Sequence, residues 1–538
     1  MTTAARRRTS AAALALGLAI SGTAALAAVP VHTIHTDLRP LIRAASRSPV
    51  QFAVLVPHAV SSVSGGSWSS ANGQATWSYA VQVPTAVSLS FHATQISLPA
   101  GATLVVRGTQ TTTSYRASDL HRGELWSRVQ PGAGLQFALT VPAAERARVN
   151  FRIVSLQAGY RSLGAGVADH PYYRRLRAQA TAASQDTVCI TNYECKVTAA
   201  NTPAAAATVA LLIENQFECS GTLINDVPQD NTPYVLSARH CISGKIGVVD
   251  DPSAASATTV YWDATSICGA TLGSIYNPTT PLQTGAQTIV EQQDAWLIRL
   301  DAGPVVSDAQ FAGFDASGSV VSGGYTIHHA EGYNKQFVAW FGQAASVQQV
   351  TGWPHFLETV NQTGNIGPGA SGSGLFDQNN HLVGSLTYGR QTSDPSGYGA
   401  CPSPTPPAPN GTNGAADFTA LGAVWASTLD ATSSTGTATI QAALDPDNTG
   451  TLVVTSAPAV VISFAASAQT LVYQQPLQLS WSASGATQCV ASGGLNGDGW
   501  SGTLAAAGTR SVTEPVIASV IYTLTCNYPL GRSAESSV

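Results

Sequence analysis

The sequence predicts an all-β chain of three successive β-rich units. Three observations carry that prediction. Short runs of alternating apolar and polar residues recur along the chain, the pattern of half-buried strands. Turn-forming residues separate them, with 49 glycines and 29 prolines in 538 residues. The cysteines partition the chain, with none from 29 to 185, six from Cys189 to Cys401, and a last pair at Cys489 and Cys526.

The first residues form an address rather than an element of the fold. Arg6, Arg7 and Arg8 precede an apolar run from Ala11 to Ile20 and then Ala25-Leu26-Ala27. A basic stretch, a short apolar core and an A-x-A site predict a secretory signal peptide over residues 1–27, removed near Ala27. No later run reaches the roughly 18 apolar residues of a membrane span. The protein is therefore expected outside the cell, where its eight cysteines can form disulfides. Net charge is −5 with charged residues at 10%, so no basic patch argues for nucleic acid.

Residues 28–185 alternate strongly at Trp77, Tyr79, Val81 and Val83, at Val87, Leu89 and Phe91, at Leu135, Phe137, Leu139 and Val141, and at Phe151 and Ile153. They are expected to form a β-sandwich. A basic, exposed segment, Tyr172-Tyr173-Arg174-Arg175-Leu176-Arg177, follows. Residues 186–455 hold six cysteines, and a short linker (Ser456, Ala457, Pro458) leads to a unit over 459–538. There, Leu477-Gln478-Leu479-Ser480-Trp481-Ser482 precedes Cys489, and Tyr522-Thr523-Leu524-Thr525 precedes Cys526. Two cysteines on alternating runs with a tryptophan fit a small immunoglobulin-like sandwich whose last strand is short or missing.

The chemistry-bearing stretches lie in the middle unit. Ser237-Ala238-Arg239-His240-Cys241 follows the apolar run Tyr234-Val235-Leu236. Asp294 opens the run Ala295-Trp296-Leu297-Ile298, and Gly369-Ala370-Ser371-Gly372-Ser373-Gly374 lies beyond it. A serine hydroxyl is a poor nucleophile until a base takes its proton. His240 can be that base, Asp294 can hold the imidazole, and small residues around Ser371 let backbone amides converge on one point. The amides of Gly369 and Ser371 are the expected oxyanion hole. Asp263 and Asp301 also lie between His240 and Ser371, and Ser373 is the alternative serine. His328-His329 has no accompanying cluster of His, Cys or carboxylates, so no metal is assigned.

In these pieces residues 189–455 resemble the trypsin-like serine peptidases, and among them the bacterial lysyl endopeptidases. The matching stretches are Cys189 to Cys195, Cys-Ser-Gly-Thr-Leu-Ile at 219–224, Tyr-Val-Leu-Ser-Ala-Arg-His-Cys at 234–241, Val260-Tyr261-Trp262 before Cys268, Ile327-His328-His329, the serine loop at 369–374 and Leu444-Asp445-Pro446. The resemblance implies a chymotrypsin-like double β-barrel core between an N-terminal β-sandwich prosegment and a C-terminal immunoglobulin-like β-sandwich. It implies a secreted, cofactor-free, monomeric endopeptidase acting on proteins or peptides through His240, Asp294 and Ser371. It also implies the bridges Cys189–Cys401, Cys195–Cys268 and Cys219–Cys241, with Cys489–Cys526 in the last unit. The prosegment would be cut between Arg177 and Cys189.

The sequence departs from the family where specificity is set. Asn365 stands six positions before Ser371, where trypsin has an aspartate. The counterpart of the lysine-binding aspartate is Asp417, ahead of Gly422-Ala423-Val424-Trp425, with spacing two residues longer than the family's. Thr387 stands where the family has a histidine, and prolines 402, 404, 406, 407 and 409 mark an insertion before Asp417. Ala370 replaces the aspartate that a freed N-terminus engages in trypsin. Preference for Lys or Arg before the scissile bond is the leading expectation. The alternatives are another side-chain preference, such as acidic residues, or a binding protein whose peptidase core has decayed.

Overall fold

The computed structural model describes residues 29–99, 101–164, 167–180, 191–243, 253–347, 356–360, 366–390, 415–459, 462–468, 473–483, 486–513, 519–527 and 533–538. The leader, Cys189, Asn365, Cys401 and the proline insertion lie outside the described residues. Among the described residues no helix is long and apolar enough to cross a membrane.

Two sheets stack over the N-terminal stretch. One has six strands, including Gln74–Gln82, Gly134–Pro142 and Thr103–Arg107; the other has five, including Ala53–Ser61, Asn150–Gly159 and Ser88–Ser97. Their inward residues are those of the alternating runs. Trp77, Phe91, Phe137 and Phe151 are buried in one core, with the Phe91 and Phe137 rings edge to face at 5.0 Å. The basic segment expected only to be exposed is a helix, Pro171–Ala180. Tyr172, Tyr173 and Leu176 lean on the sandwich core while Arg174 and Arg175 stay in solvent. The i, i+3 and i+4 spacing of those apolar residues gives the helix its packing face.

Two further sheets follow. The first contains β1 (Thr208–Ile213), β2 (Phe217–Ile224), β3 (Tyr234–Ala238), β4 (Thr258–Tyr261), β5 (Leu282–Thr284), β6 (Ala286–Gln292) and β7 (Ala295–Leu300), in the order β5-β4-β1-β2-β3-β7-β6. The second contains β8 (Gly323–His328), β9 (Gln336–Phe341), β10 (Ala345–Val347), β11 (Phe356–Val360), β12 (Gly374–Asp377), β13 (Leu382–Arg390) and β14 (Ala415–Ala420), in the order β9-β8-β12-β13-β14-β11-β10, with two short strands added. In each sheet the outermost strands are neighbours in sequence. Gly285 alone separates β5 from β6, and residues 342–344 separate β9 from β10. Each sheet therefore curls back on itself, which closes it without a long exposed edge. The result is the double-barrel core that the resemblance implies.

The C-terminal stretch is a pair of sheets of three and four strands around Trp481, Trp500 and Leu524. The Cys489–Cys526 bridge is present, between direct partners on adjacent strands of one sheet. Ser533–Ser537 supplies a last strand, paired with Tyr522–Asn527. Its composition, Ser-Ala-Glu-Ser-Ser, has none of the β-branched or aromatic residues that mark a strand.

Candidate active site

Strand register brings the histidine and aspartate together. β3 and β7 are antiparallel neighbours with Ala238 opposite Ala295. One step beyond that pair, Arg239 donates its N–H to the Asp294 carbonyl at 2.8 Å. The next residue, His240, then faces the Asp294 side chain. Its backbone N–H meets Oδ1 at 2.9 Å, and its Nδ1 lies 2.8 Å from Oδ2 and 3.0 Å from Oδ1. Asp294 is fully buried and His240 nearly so. A ring nitrogen facing a carboxylate carries the proton, which leaves Nε2 with its lone pair available.

Buried charge braces this turn. Arg239, almost fully buried, lies 2.7 Å from Asp430 and 3.5 Å from Glu291. The Cys219–Cys241 bridge ties the residue after His240 to β2. Cys195–Cys268 is also present, while Cys189 and Cys401 lie outside the described residues.

The serine loop is held almost atom by atom. The carbonyls of Gly367, Pro368 and Ala370 accept from Ala370, Glu331 and Ser373 at 3.0, 2.7 and 3.0 Å. The Ser371 carbonyl accepts from Ser220 of β2 at 2.8 Å, and Gly372 donates to Leu386 of β13 at 2.9 Å. The Ser220 hydroxyl donates to the Gly369 carbonyl at 2.9 Å. Among the described residues, the N–H groups of Gly369 and Ser371 donate to no protein acceptor, whereas those of Ala370, Gly372 and Ser373 do. The loop, otherwise fixed, thus leaves two main-chain donors two residues apart without a protein acceptor among the described residues.

Two glycines make this path possible. Gly372 has φ +80°, and a Cβ there would lie 2.5 Å from the Ser220 carbonyl and 2.8 Å from the Ala238 amide. Gly369 has φ +97°, and a Cβ would lie 2.7 Å from Glu218 Oε1.

The alternatives fall elsewhere. Ser373 is buried and accepts from the Thr326 hydroxyl at 3.0 Å, while Ser371 is partly exposed. Asp301 pairs with His121 at 2.8 Å and with Arg122 at 3.2 Å. Burial pushes the Asp263 carboxyl up to about 6, against the pull of Lys335. His329 is buried, with Nδ1 3.1 Å from the Tyr333 carbonyl, and burial draws its imidazole down to about 3.

Asp417 is fully buried on β14. Its neighbours Ala416 and Phe418 join an apolar cluster, so strand alternation turns Asp417 and Thr419 to the opposite face. That face is polar, with the Thr419 and Thr387 hydroxyls 2.8 Å apart. Asp417 is opposite Tyr388 across a bulge in β13, next to Leu386, which receives the serine loop. Sequence reasoning missed Ser220 and Glu218. Ser220 followed Cys219 in a matched motif, but nothing local announced that its hydroxyl would hold the loop.

Residues 179–399 match the family model described as lysyl endopeptidase, C-terminal domain. The match includes His240, Asp294 and Ser371 and ends before Asp417. Among solved structures, the chain is similar to a mutant of Rv3671c from M. tuberculosis H37Rv in its inactive form, at 13% identity over 45% of this chain and 91% of that one, with a TM-score of 0.26. It is similar to the HtrA-type protease AlgW with tripeptide, at 15% identity over 58% and 96%, TM-score 0.28. It is also similar to a Glu endopeptidase, at 13% identity over 41% and 89%, TM-score 0.24. Likenesses this remote carry no argument about substrate. With the family match on residues 179–399, the chain is a serine-type endopeptidase of the chymotrypsin fold.

Proposed function

We propose that this peptidase works through His240, Asp294 and Ser371, is exported, and prefers Lys or Arg before the scissile bond. Ser371 Oγ attacks the carbonyl carbon while its proton passes to His240 Nε2. The C–N bond then breaks, and His240 returns the proton to the leaving amine. Water repeats the cycle on the acyl-enzyme. Asp294 keeps the proton on Nδ1 and offsets the charge of the imidazolium. The open amides of Gly369 and Ser371 receive the oxyanion, each worth about 3 kcal/mol to the transition state.

The observation that carries this reading is the pair of unpartnered amides flanking Ala370, beside a histidine whose Nδ1 is committed to a buried carboxylate. Asp417 supports the specificity reading, because a buried carboxylate on a polar face next to the serine loop is a fitting receptor for a cationic side chain. The basic leader and its A-x-A site support export, residues 28–185 are read as the prosegment, and 459–538 as an appended immunoglobulin-like module.

Fluorophosphonate labelling with peptide mapping tests the chemistry. An adduct on Ser371 that disappears in Ser371→Ala is expected; no adduct on processed protein overturns the reading. Substrates differing only before the scissile bond test Asp417, and equal rates for Lys, Arg, Leu and Glu would remove its assigned role.

A further inference from the structure

The N-terminal sandwich reaches the peptidase by adding a strand. Val50 accepts from the Glu218 N–H and Phe52 donates to the Gln216 carbonyl, both at 2.9 Å, with Gln51 opposite Phe217 in antiparallel register. This is the edge of β2 that β3 leaves uncovered, since β3 pairs only with Thr222–Ile224. Further along the same edge, Ser220 holds the Ser371 carbonyl. Glu218 and Ser220 are two residues apart, about 7 Å along a strand. The added segment thus begins directly beside the anchorage of the serine loop.

Its polarity matters. Because the pairing is antiparallel, Val50 is nearer to Ser371 than Phe52, and the chain runs away from the serine as its numbering rises. The half of a peptide that follows the scissile bond must run in that direction. A bare strand edge binds extended peptides through their main chain, whatever their sequence.

The segment is gripped from behind as well. The Arg161 guanidinium donates to the carbonyls of Pro49 and Gln51, and the Tyr160 hydroxyl donates to Gln51 at 2.5 Å. Phe52, Val129 and Leu163 pack on Leu212, Tyr261 and Tyr276 in one buried cluster. Gly164 donates to the Glu331 carbonyl, and Asn215 of the peptidase donates to Ser127.

We propose that the N-terminal unit inhibits its own peptidase by strand addition. Pro49–Ala53 occupies the β2 edge that the leaving half of a substrate would pair with, and it stays there after the chain is cut between Arg177 and Cys189. This rests on the serine peptidase reading above. It specifies which part of the cleft is closed: the leaving side, with Ser371 itself still reachable by a small reagent.

The test uses the full protein, nicked between Arg177 and Cys189 and kept as the complex. Two substrates identical before the scissile bond are compared, one ending in a small chromophore and one continuing for four residues. Fluorophosphonate labelling of the same sample reports the serine. The nicked complex should label and turn over the short substrate, with at least about tenfold lower kcat/KM on the extended one. Arg161→Ala and Tyr160→Phe, which loosen the grip on Gln51, should raise the extended rate and leave the short rate unchanged. Labelling with an equal ratio for both substrates in all three proteins sinks the strand-addition proposal alone. Absence of both label and short-substrate turnover sinks the peptidase reading, and this proposal with it.

Discussion

Asp294 devotes both carboxylate oxygens to His240, one of them shared between the ring and the backbone N–H. Asp294→Asn keeps the volume but can present an NH2 to Nδ1, which turns the ring to the tautomer with Nε2 protonated. That tautomer cannot take the serine proton. We expect kcat to fall on the order of 10 000-fold with little change in KM, measured by single-turnover kinetics. A loss under about tenfold would show that Asp294 does not orient the base. Asp417 makes a separable prediction. Asp417→Asn leaves the strand pairing to Tyr388 intact but removes the charge that would meet a lysine. Leaving one partner of a buried charge pair unmatched costs about 3–5 kcal/mol, so kcat/KM for Lys should drop at least 100-fold while that for an apolar residue is kept. A uniform loss across substrates would mean that Asp417 supports the fold and not the choice of residue.

The serine loop exists because β2 and β13 hold it from two sides, and Gly372 lets it pass between them. Gly372→Ala would place a methyl group against the backbone of Ser220 and Ala238, neither of which can yield without moving a strand. We expect a lower unfolding midpoint together with loss of fluorophosphonate reactivity; unchanged reactivity would mean that the loop has another way through. How much of this was legible follows from how local each feature is. His240 and Ser371 could be read because their neighbours, Cys241 and the flanking small residues, belong to the same few positions. Asp294 could be read because it opens a strand, and strand register then leaves it only one place to face. Ser220 could not, because its partners Gly369 and His329 are more than 100 residues away in sequence. The strand Ser533–Ser537 could be read only as short or missing for a related reason: its place is fixed by main-chain pairing to Tyr522–Asn527, to which side-chain propensity adds little. The contact between Pro49–Ala53 and β2 has no sequence signature at all, since strand addition is made by backbone atoms.

Glu218 connects the units of the molecule. It stands on β2 where the N-terminal segment docks, its Oε1 accepts from the Gly332 N–H at 2.5 Å, and it lies against Gly369 of the serine loop. The ionisable groups that face it are Arg161 of the N-terminal unit and Glu331 and Tyr276 of the peptidase. Burial pushes its carboxyl from an ordinary 4.5 up to about 8, with Glu331 adding to the rise and Arg161 and the Gly332 amide opposing it. The docked protein therefore holds a proton here that the unfolded chain gives up above about 4.5. The associated stability is fully present below that pH and is lost as pH rises toward 8, at up to about 1.4 kcal/mol per pH unit for one proton. Asp226, pushed up to about 7 mainly by burial, slopes the same way, so the wild-type profile alone does not isolate Glu218. Glu218→Gln does, because the amide oxygen can still accept from Gly332 while nothing titrates. His329, drawn down to about 3 by burial, slopes the other way below about pH 6.5, so the readout is the difference: between pH 5 and pH 8 the unfolding midpoint of the uncut wild type should fall relative to that of the variant. Parallel profiles would place the proton elsewhere. A wild-type advantage over Glu218→Gln that is flat from pH 5 to pH 8 and shrinks as pH falls below about 4.5 would mean that Arg161 keeps Glu218 ionised. The junction would then be held by an ion pair rather than by a neutral carboxyl, and its strength would fall with added salt instead of with rising pH.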